Sequence, residues 1–297
     1  MSATGLSGVH VALATPLSPD GRSVDHDGLA RLVERTLHGG VRAICPVGST
    51  GEGPRLTRAV RHDITATVRS VAGRTVPVIP APSAPTAAEA ISEIGELVQA
   101  GADAVLLAPP SYYPMTADEI GEYFHAVAEA TAAPIVLYNI PAMTKVSLPA
   151  PVVASLAAHE NIIGIKDSSR DFEYLQSVLY AVDDADFTVL TGSDTMLLPS
   201  MLVGAGGTIA ASANVVPQLG RQVYDAVTSG DLDAAASAQR HLFDVVQACR
   251  MGTMPAGWKA ALAAAGVCSP ALVAPARGLD DDRRAALTER LRQLHAI

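Results

Sequence analysis

The residue in this sequence with the most unusual surroundings is Lys166. It lies in the run 162–169, IIGIKDSS, whose first part is apolar and β-branched, as in a buried strand. Of the 21 Lys and Arg residues only three are lysine, namely Lys145, Lys166 and Lys259. Arginine cannot lose its proton in a protein, whereas lysine can, so the sequence indicates that position 166 requires an amine rather than any positive charge.

An amine in apolar surroundings can act as a nucleophile towards carbonyl groups. Burial disfavours the charged ammonium, and a neutral amine attacks ketones and aldehydes. The alternative is a lysine that pairs with Asp167 or another acid at the rim of the fold. Residue types alone leave both alternatives open.

Short β-rich segments alternate with longer amphipathic segments along most of the chain. The predicted strands are 9–14, 41–47, 76–80, 103–108, 134–139, 162–166, 187–192 and 206–210. Eight strands spaced by roughly 30 residues close naturally into a (β/α)8 barrel. An open doubly wound sheet is the rival, but the first turn, 14–22, lacks the glycine-rich loop that a dinucleotide-binding fold places there.

The predicted fold class is therefore α/β, a (β/α)8 TIM barrel with a small C-terminal helical extension. Residues 1–215 are predicted to form the barrel core, and residues 216–297 the final barrel helix and the helical extension of the same domain. The helical patterning after the last predicted strand is too long for one barrel helix. Two helices, beginning after Thr86 and Thr116, show threonine followed three residues later by Glu, the pattern of a capping box.

Composition limits the partners and the compartment. With 49% hydrophobic residues, the 297-residue chain can bury a sizeable core. Three cysteines without CxxC spacing and no signal-like N-terminus predict a reduced, cytoplasmic setting, and no apolar run is long enough for a membrane. A net charge of -9 without a basic tract disfavours nucleic acid. The eight histidines show no HExxH or HxH pairing, so no metal is expected.

Polar motifs follow several predicted strands, at the end where a barrel places its active site. They are GSTGE (48–52), PPSYYP (109–114), YNIP (138–141) and GIKDSS (164–169). Glycines in the first motif let the backbone N–H groups of Ser49 and Thr50 approach a small anion. Tyr112 and Tyr138 offer phenol groups near strand ends. Each motif alone is a weak signal, since ordinary turns and amphipathic strand ends use the same residue types.

The four motifs together, in this order and at these intervals, resemble the pyruvate-dependent class I aldolases, which include N-acetylneuraminate lyase and dihydrodipicolinate synthase. The resemblance extends to 192–194 (GSD), 206–217 (GGTIAASANVVP) and 259–262 (KAAL), and so covers nearly the whole chain. It implies a homotetramer built as a pair of dimers. It also implies pyruvate and an aldehyde as substrates, with a lysine Schiff base and no cofactor.

The resemblance implies a role for each site residue. Lys166 would form the Schiff base with a 2-oxo acid, and Tyr138 would carry the proton to and from the substrate hydroxyl. Ser49 would link Tyr138 to Tyr112 of an adjoining subunit. Ser49 and Thr50 would hold the carboxylate, and the main-chain carbonyl at Ile209 would lie close to the keto acid. The implied substrate-binding positions are Gly48, Thr50, Met143, Gly192, Asp194 and Ile209.

Three departures from the family pattern bear on the substrate. Met143 stands where dihydrodipicolinate synthases carry an arginine for the carboxylate of the aldehyde partner, and a thioether cannot replace a guanidinium. Asp194 is followed by Thr195 rather than Glu, and Ala211 stands near the serine position, where N-acetylneuraminate lyases bind sugar hydroxyls. Lys145 replaces a usual glycine, which leaves open a salt bridge at the rim or contact with an acidic substrate.

The sequence thus predicts a carbon–carbon lyase that reversibly cleaves a 4-hydroxy-2-oxo acid to pyruvate and an aldehyde. The acid would be a deoxy sugar acid, hydroxy-oxoglutarate or an aryl analogue. A dehydratase or a pyruvate-condensing synthase is the alternative within the family. A non-catalytic barrel that senses a 2-oxo acid is a further alternative, although a sensor has no need for a proton relay.

Overall fold

The centre of the structure is a parallel β-sheet wound into a barrel. The computed structural model describes residues 3–183 and 185–297. Its seven described strands are β1 (Gly8–Ala12), β2 (Ala43–Cys45), β3 (Val105–Leu107), β4 (Ile135–Asn139), β5 (Ile162–Asp167), β6 (Thr188–Thr191) and β7 (Gly207–Ala210). Their order is β2-β1-β7-β6-β5-β4-β3, so β1 and β7 pair with each other.

The gap between β2 and β3 is filled by the segment 76–80. Ile79 N–H donates to the carbonyl oxygen of Ile44 on β2 at 2.8 Å, and Leu106 N–H on β3 donates to that of Pro80 at 2.9 Å. The segment is a bonded strip rather than a regular strand, because its two prolines have no N–H to give to a ladder. With this strip in the eighth position, the predicted (β/α)8 barrel is confirmed.

Helices surround the barrel and continue after it. Around the barrel lie α1 (His26–His38), α2 (Arg58–Ala72), α3 (Ala87–Gln99), α4 (Ala117–Ala130), α5 (Pro141–Thr144), α6 (Ala150–Ala157), α7 (Phe172–Ala181), α8 (Leu197–Leu202) and α9 (Pro217–Ser229). The C-terminal extension is α10 (Leu232–Cys249), α11 (Ala256–Ala264) and α12 (Asp281–Gln293). Short 3-10 helices span Ala3–Leu6, Gly53–Arg55, Asp194–Met196 and Ser212–Asn214. In the described ranges, no helix is both long and apolar enough to cross a membrane.

The predicted threonine caps begin α3 and α4. At α4, Glu119 N–H donates to Thr116 Oγ1 at 3.3 Å and Thr116 N–H donates to the Glu119 carboxylate at 2.6 Å, which is a complete capping box. At α3, Glu89 N–H donates to Thr86 Oγ1 at 3.3 Å, but the Glu89 carboxylate lies 3.4 Å from Arg58 instead. The second half of the box predicted for α3 is therefore wrong, because an ion pair competes for the carboxylate.

Strand residues divide between the barrel interior and the helices. Val11 on β1 packs outward, in one cluster with residues of α1 and α2, whereas the next residue, Ala12, belongs to the interior cluster. Tyr138 on β4 and Lys166 on β5 are register partners near the carboxyl ends of their strands. Parallel pairing therefore brings these two side chains to one face of the sheet.

Candidate active site

The amine of Lys166 and the phenol of Tyr138 are in contact at the mouth of the barrel. Each residue is only 5% exposed. Lys166 Nζ donates to Tyr138 Oη at 3.3 Å and lies 4.4 Å from the centroid of that ring. Tyr138 Oη is in turn 3.4 Å from Ser49 Oγ. The three groups form a chain of proton carriers that ends at an amine.

The carboxylate of Asp167 is engaged elsewhere. It accepts hydrogen bonds from Asn139 Nδ2 at 2.8 Å and from the Ser169 backbone N–H and hydroxyl at 3.1 and 2.8 Å. Burial raises the pKa of the Asp167 carboxyl above its ordinary value. Among the residues that the structure describes, no carboxylate oxygen lies within 4.0 Å of Lys166 Nζ. The ion-pair alternative for Lys166 is therefore not supported.

The loop after β2 presents unpaired backbone N–H groups. Val47 and Glu52 flank it with left-handed φ values of +54° and +58°, which are rare for a β-branched residue such as valine. Gly53 leaves room for this path, since a Cβ there would lie 1.6 Å from the Val47 carbonyl oxygen. No backbone carbonyl in the described ranges accepts from Ser49 or Thr50 N–H. These donors are thus free for an anion.

A first cavity lies beside Tyr138. It has a volume of about 280 Å³ and is lined by Gly48, Ser49 and Tyr138 on the barrel side and by Met143 at the rim. Met143 is 54% exposed, so the position that resembles the synthase arginine presents an apolar, solvent-facing side chain. Thr50 is 4% exposed and lies next to this wall in sequence. The first cavity is therefore polar where the loop meets Tyr138 and uncharged at Met143.

A second cavity has in its lining a neighbour of Lys166, Gly192. It has a volume of about 320 Å³ and is lined in part by Gly192, Asp194 and Ala211. Gly192 leaves space for the lysine, because a Cβ there would lie 2.9 Å from Lys166 Cε and 1.9 Å from Ser168 Oγ. Lys166 thus lies beside one lining residue of each cavity, Tyr138 of the first and Gly192 of the second.

Asp194 is held rigidly at the second cavity. Its carboxylate accepts from the Ser212 N–H at 3.1 Å and from the Ser212 hydroxyl, and burial raises the pKa of the carboxyl. The hydroxyl of Thr195 is 3.3 Å from that of Ser193, so this side chain bonds within its own turn. The Glu and the serine that bind sugar hydroxyls in N-acetylneuraminate lyases are thus absent at Thr195 and Ala211, as the sequence indicated.

Tyr112 is not brought to the site within one chain. Its side chain is 87% exposed and packs edge-to-face on Tyr113, with ring centroids 5.0 Å apart. Its backbone has a left-handed φ of +95°, a strained conformation that aims the aromatic pair outward. The role that the resemblance gives to Tyr112, in a neighbouring subunit, stays a prediction.

Two other positions named from the sequence differ in their surroundings, because Ile209 shares the interior cluster of Tyr138 and Lys145 is exposed. Ile209 on β7 is 1% exposed and belongs to the interior cluster of the barrel, where only its main chain could meet a substrate. The amine of Lys145, on an exposed side chain, donates to the carbonyl oxygen of Ala142 at 2.9 Å. No carboxylate of the described ranges lies within 4.0 Å of its Nζ, so the salt bridge considered for Lys145 is not formed with these residues.

A buried ion pair beneath the loop was missed by sequence reasoning. Lys259 on α11 is fully buried, and its Nζ lies 3.8 Å from Glu52 Oε1 and donates to the carbonyl oxygen of Thr15. Glu52 Oε2 accepts from Val273 N–H at 2.9 Å. Burial lowers the pKa of Lys259. The only sequence signals were a lysine in an alanine-rich helix and an acid in a glycine-rich loop.

One group of side chains in the described ranges is close enough to share a metal ion, and it includes no residue of either cavity. His125 and Glu129 lie on α4, and His159 follows α6. His159 Nδ1 accepts from Asn161 N–H at 3.1 Å and its Nε2 is 3.2 Å from Glu129 Oε1, so protein groups already join the cluster. That the reaction needs no metal stays a prediction.

The fold and the site together define a class: a (β/α)8 barrel with a buried lysine and a tyrosine hydroxyl at the carboxyl end of its strands. The model of the dihydrodipicolinate synthetase family matches residues 5–294. The chain therefore belongs to the dihydrodipicolinate synthetase family, and the resemblance in the sequence is confirmed. Members of this family are pyruvate-dependent lyases and synthases that use a lysine Schiff base.

Individual relatives agree with this assignment. An uncharacterized DapA-like lyase of Halobacterium salinarum is 36% identical over 290 residues, which are 98% of this chain and 94% of that protein. A 4-hydroxy-tetrahydrodipicolinate synthase of Sorangium cellulosum is 36% identical, over 100% of this chain and 98% of that protein. The structure of YagE, a prophage protein of the dihydrodipicolinic acid synthase family from E. coli in complex with pyruvate, is similar with a TM-score of 0.93. It is 32% identical and covers 98% of this chain and 99% of that chain.

Proposed function

We propose that this protein is a Schiff-base-forming aldolase that reversibly cleaves a 4-hydroxy-2-oxo acid to pyruvate and an aldehyde. The observation that carries the proposal is the position of Lys166 Nζ. It is buried, has no carboxylate partner in the described ranges, lies 3.3 Å from Tyr138 Oη in the lining of the first cavity, and is bordered by Gly192 in the lining of the second. A lysine in such a place is suited to attack a ketone.

The reaction begins with addition of the Lys166 amine to the C2 ketone of the substrate. Loss of water from the adduct gives an iminium, and the proton that water needs comes through Tyr138. The C3–C4 bond then breaks, and its electron pair moves into the iminium to give an enamine. Tyr138 takes the proton of the C4 hydroxyl, and the aldehyde leaves. Protonation of the enamine at C3 and hydrolysis release pyruvate and restore the lysine.

The loop after β2 supports the binding of the 2-oxo acid carboxylate. The free N–H groups of Ser49 and Thr50, with their hydroxyls, offer hydrogen bonds without a cation. Such a clamp places no further positive charge near Lys166. Because Gly48 and Ser49 line the first cavity with Tyr138, the pyruvate half belongs there, and the aldehyde half extends past Lys166 into the second cavity.

Tyr112 supports an assembled enzyme. An exposed aromatic pair on a strained backbone is poorly suited to face water and well suited to insert into a neighbour. In a homotetramer, Tyr112 of one subunit would reach Ser49 of the next and extend its proton relay. Activity should then follow assembly, and a fully active monomer in analytical ultracentrifugation would remove Tyr112 from the mechanism.

The experiment that tests the proposed function is reductive trapping. The protein is incubated with pyruvate and sodium borohydride, and its peptides are analysed by mass spectrometry. With only three lysines the site of a reduced pyruvyl adduct is unambiguous. We expect it on Lys166, with Lys145→Ala as the matched control that still traps. Absence of an adduct on any lysine of folded protein would contradict the Schiff-base route.

The condensing reaction is the second candidate, because one relative named above is a 4-hydroxy-tetrahydrodipicolinate synthase. The exposed Met143 at the rim of the first cavity counts against it, since this position offers no charge for the carboxylate of the aldehyde partner. Product analysis separates the two. An acyclic 4-hydroxy-2-oxo acid indicates the aldolase, and a cyclised product formed from an amino-aldehyde indicates the synthase.

A further inference from the structure

Two arginine side chains line the second cavity from different parts of the chain. Arg170 follows β5, and Arg250 ends α10 in the C-terminal extension. They are eighty residues apart in sequence and are brought to one cavity by the packing of α10 against the barrel. Gly192, in the same lining, is the residue that borders Lys166 Cε. The arginines therefore face the space that a substrate bound to Lys166 would enter.

Neither guanidinium forms an ion pair with a described residue. In the described part of the chain, no carboxylate oxygen lies within 4.0 Å of Arg170 or Arg250. Other arginines do have partners, as Arg58 has in Glu96 at 2.6 Å. The one carboxylate in the lining, that of Asp194, is occupied by Ser212. Two guanidiniums and one carboxylate leave the cavity positive in a chain whose net charge is -9.

The backbone at Arg170 is held by its neighbours in an unusual conformation. Its backbone has a left-handed φ of +64°. The residues on either side are tied down, because Ser169 donates to the Asp167 carboxylate at 2.8 Å and Asp171 caps α7 by accepting from Tyr174 N–H at 3.0 Å. A non-glycine residue in this conformation is typical of functional sites.

Arg250 has a second possible role at the end of α10, but this role does not explain why two arginines line one cavity. A cation at the end of α10 interacts favourably with the helix dipole. The Arg250 side chain could interact with the dipole of α10 in any outward orientation. This interaction does not account for a second arginine in the same cavity lining. Partial burial and then repulsion from Arg170 lower the pKa of Arg250, against an opposing effect of the Asp194 carboxylate. Two like charges in the lining of one cavity are stabilised when an anion binds there.

We infer that the second cavity binds an anionic group at the far end of the aldehyde half, and that the substrate is a 4-hydroxy-2-oxo acid with a second carboxylate. This inference rests on the proposed function and specifies its substrate class. Guanidinium groups bind carboxylates with paired, charge-assisted hydrogen bonds, which an uncharged aldehyde or a sugar hydroxyl cannot match. Arg170 and Arg250 thus offer this charge in the second cavity, whereas Met143, in the lining of the first, offers none.

The test compares two aldehydes of the same length in the condensation direction with pyruvate. The probes are 4-oxobutanoate, which ends in a carboxylate, and its methyl ester, which is neutral. We expect the wild-type protein to use the acid with a kcat/KM at least ~10-fold higher than that of the ester. In Arg170→Ala/Arg250→Ala the value for the acid should fall by roughly 10–10² and that for the ester should stay within about twofold. Both side chains are exposed, so the variant is expected to fold.

Controls separate this inference from the proposed function. Arg74→Ala removes an exposed arginine that lines neither cavity and should change neither aldehyde. Borohydride trapping of pyruvate on Lys166 should be equal in wild type and in the double variant. Trapping without a preference for the acid, or an equal loss for acid and ester, would overturn this inference alone. No trapping in the wild type would overturn the proposed function and this inference with it.

Discussion

Two buried lysines show how surroundings decide what an amine does. Lys166 at the mouth of the barrel and Lys259 on α11 are 5% and 0% exposed. Lys259 has an acid, Glu52, at 3.8 Å and a backbone carbonyl as acceptor. Lys166 has a tyrosine hydroxyl and lies next to two cavities. The first arrangement fixes a charge in place, whereas the second leaves an amine that can react.

The pair of Glu52 with Lys259 also connects the loop after β2 with the C-terminal extension. Glu52 belongs to the loop that carries Ser49 and Thr50, so the pair with Lys259 ties that loop to the C-terminal extension. A buried ion pair is weak support for stability in itself, but breaking one leaves an uncompensated charge. We therefore expect Lys259 to position the carboxylate-binding loop without contacting the substrate.

The largest effect is expected from Lys166→Ala. Without the amine neither the iminium nor the enamine can form, so turnover should fall to background and no reduced pyruvyl adduct should be trapped. The free energy of unfolding should change little or rise, because a buried amine without an acid partner is removed. Measured trapping on another lysine of this variant would assign the reaction to that lysine and break the comparison.

Tyr138→Phe should give the next largest effect. The ring and its contact with Lys166 stay, but the hydroxyl 3.3 Å from Nζ is lost. We expect kcat to fall by roughly 10²–10⁴, the range for removal of a positioned proton carrier, while pyruvate is still trapped on Lys166. Steady-state kinetics and trapping on the same preparation check this prediction. Near-normal turnover would remove Tyr138 from the proton relay.

Lys259→Met should lower the stability and keep the trapping of pyruvate, whereas Lys166→Ala should abolish trapping with little loss of stability. Removal of Lys259 leaves the buried Glu52 carboxylate with Arg55, at 3.3 Å, as its remaining cation. The free energy of unfolding should therefore fall, but by less than the ~3–5 kcal/mol expected for a fully uncompensated buried charge. Lys166 should still trap pyruvate, with a KM for pyruvate that rises more than kcat falls, since the carboxylate loop loosens. Denaturant unfolding and kinetics measure both. The double variant Lys259→Met/Glu52→Gln should recover part of the stability, and a failure to recover would contradict the pairing.

The barrel predicted from the sequence is confirmed, and the structure brings Lys166 and Tyr138 into contact, while their part in a reaction stays a prediction. Physical reasons explain what the sequence did not predict. Alternating βα segments determine a barrel through local patterning, and Lys166 was conspicuous because it interrupts an apolar strand. The contacts of Glu52 with Lys259, and the meeting of Arg170 with Arg250, depend on where the C-terminal helices pack. Such contacts join distant positions through tertiary packing, which no local pattern records. Gly192 was named from its motif, but its steric role beside Lys166 needed coordinates.

His10 on β1 extends the comparison to a buried imidazole. Its Nε2 is 2.6 Å from the Leu6 carbonyl oxygen, and burial lowers its pKa to about 4 from 6.5. Because the unfolded chain binds this proton more readily, the stabilising contribution is complete above pH 6.5 and is lost as the pH falls towards 4. The loss between pH 7.5 and 4.5 should be roughly 2–3 kcal/mol. Denaturant unfolding of His10→Gln should show a correspondingly smaller drop, and an equal drop in both proteins would contradict it.

Lys145→Ala should have the smallest effect and completes the set of lysines. Its amine is exposed and donates only to the Ala142 carbonyl oxygen, so it has neither the burial of Lys166 nor the partner acid of Lys259. We expect kcat/KM within about twofold of wild type and a change in unfolding free energy below ~0.5 kcal/mol. The left-handed φ of +63° at this position makes Lys145→Gly the matched variant, which should be at least as stable as alanine. A selective loss of activity with acidic aldehydes in both variants would contradict this prediction and would show that Lys145 contributes to substrate specificity.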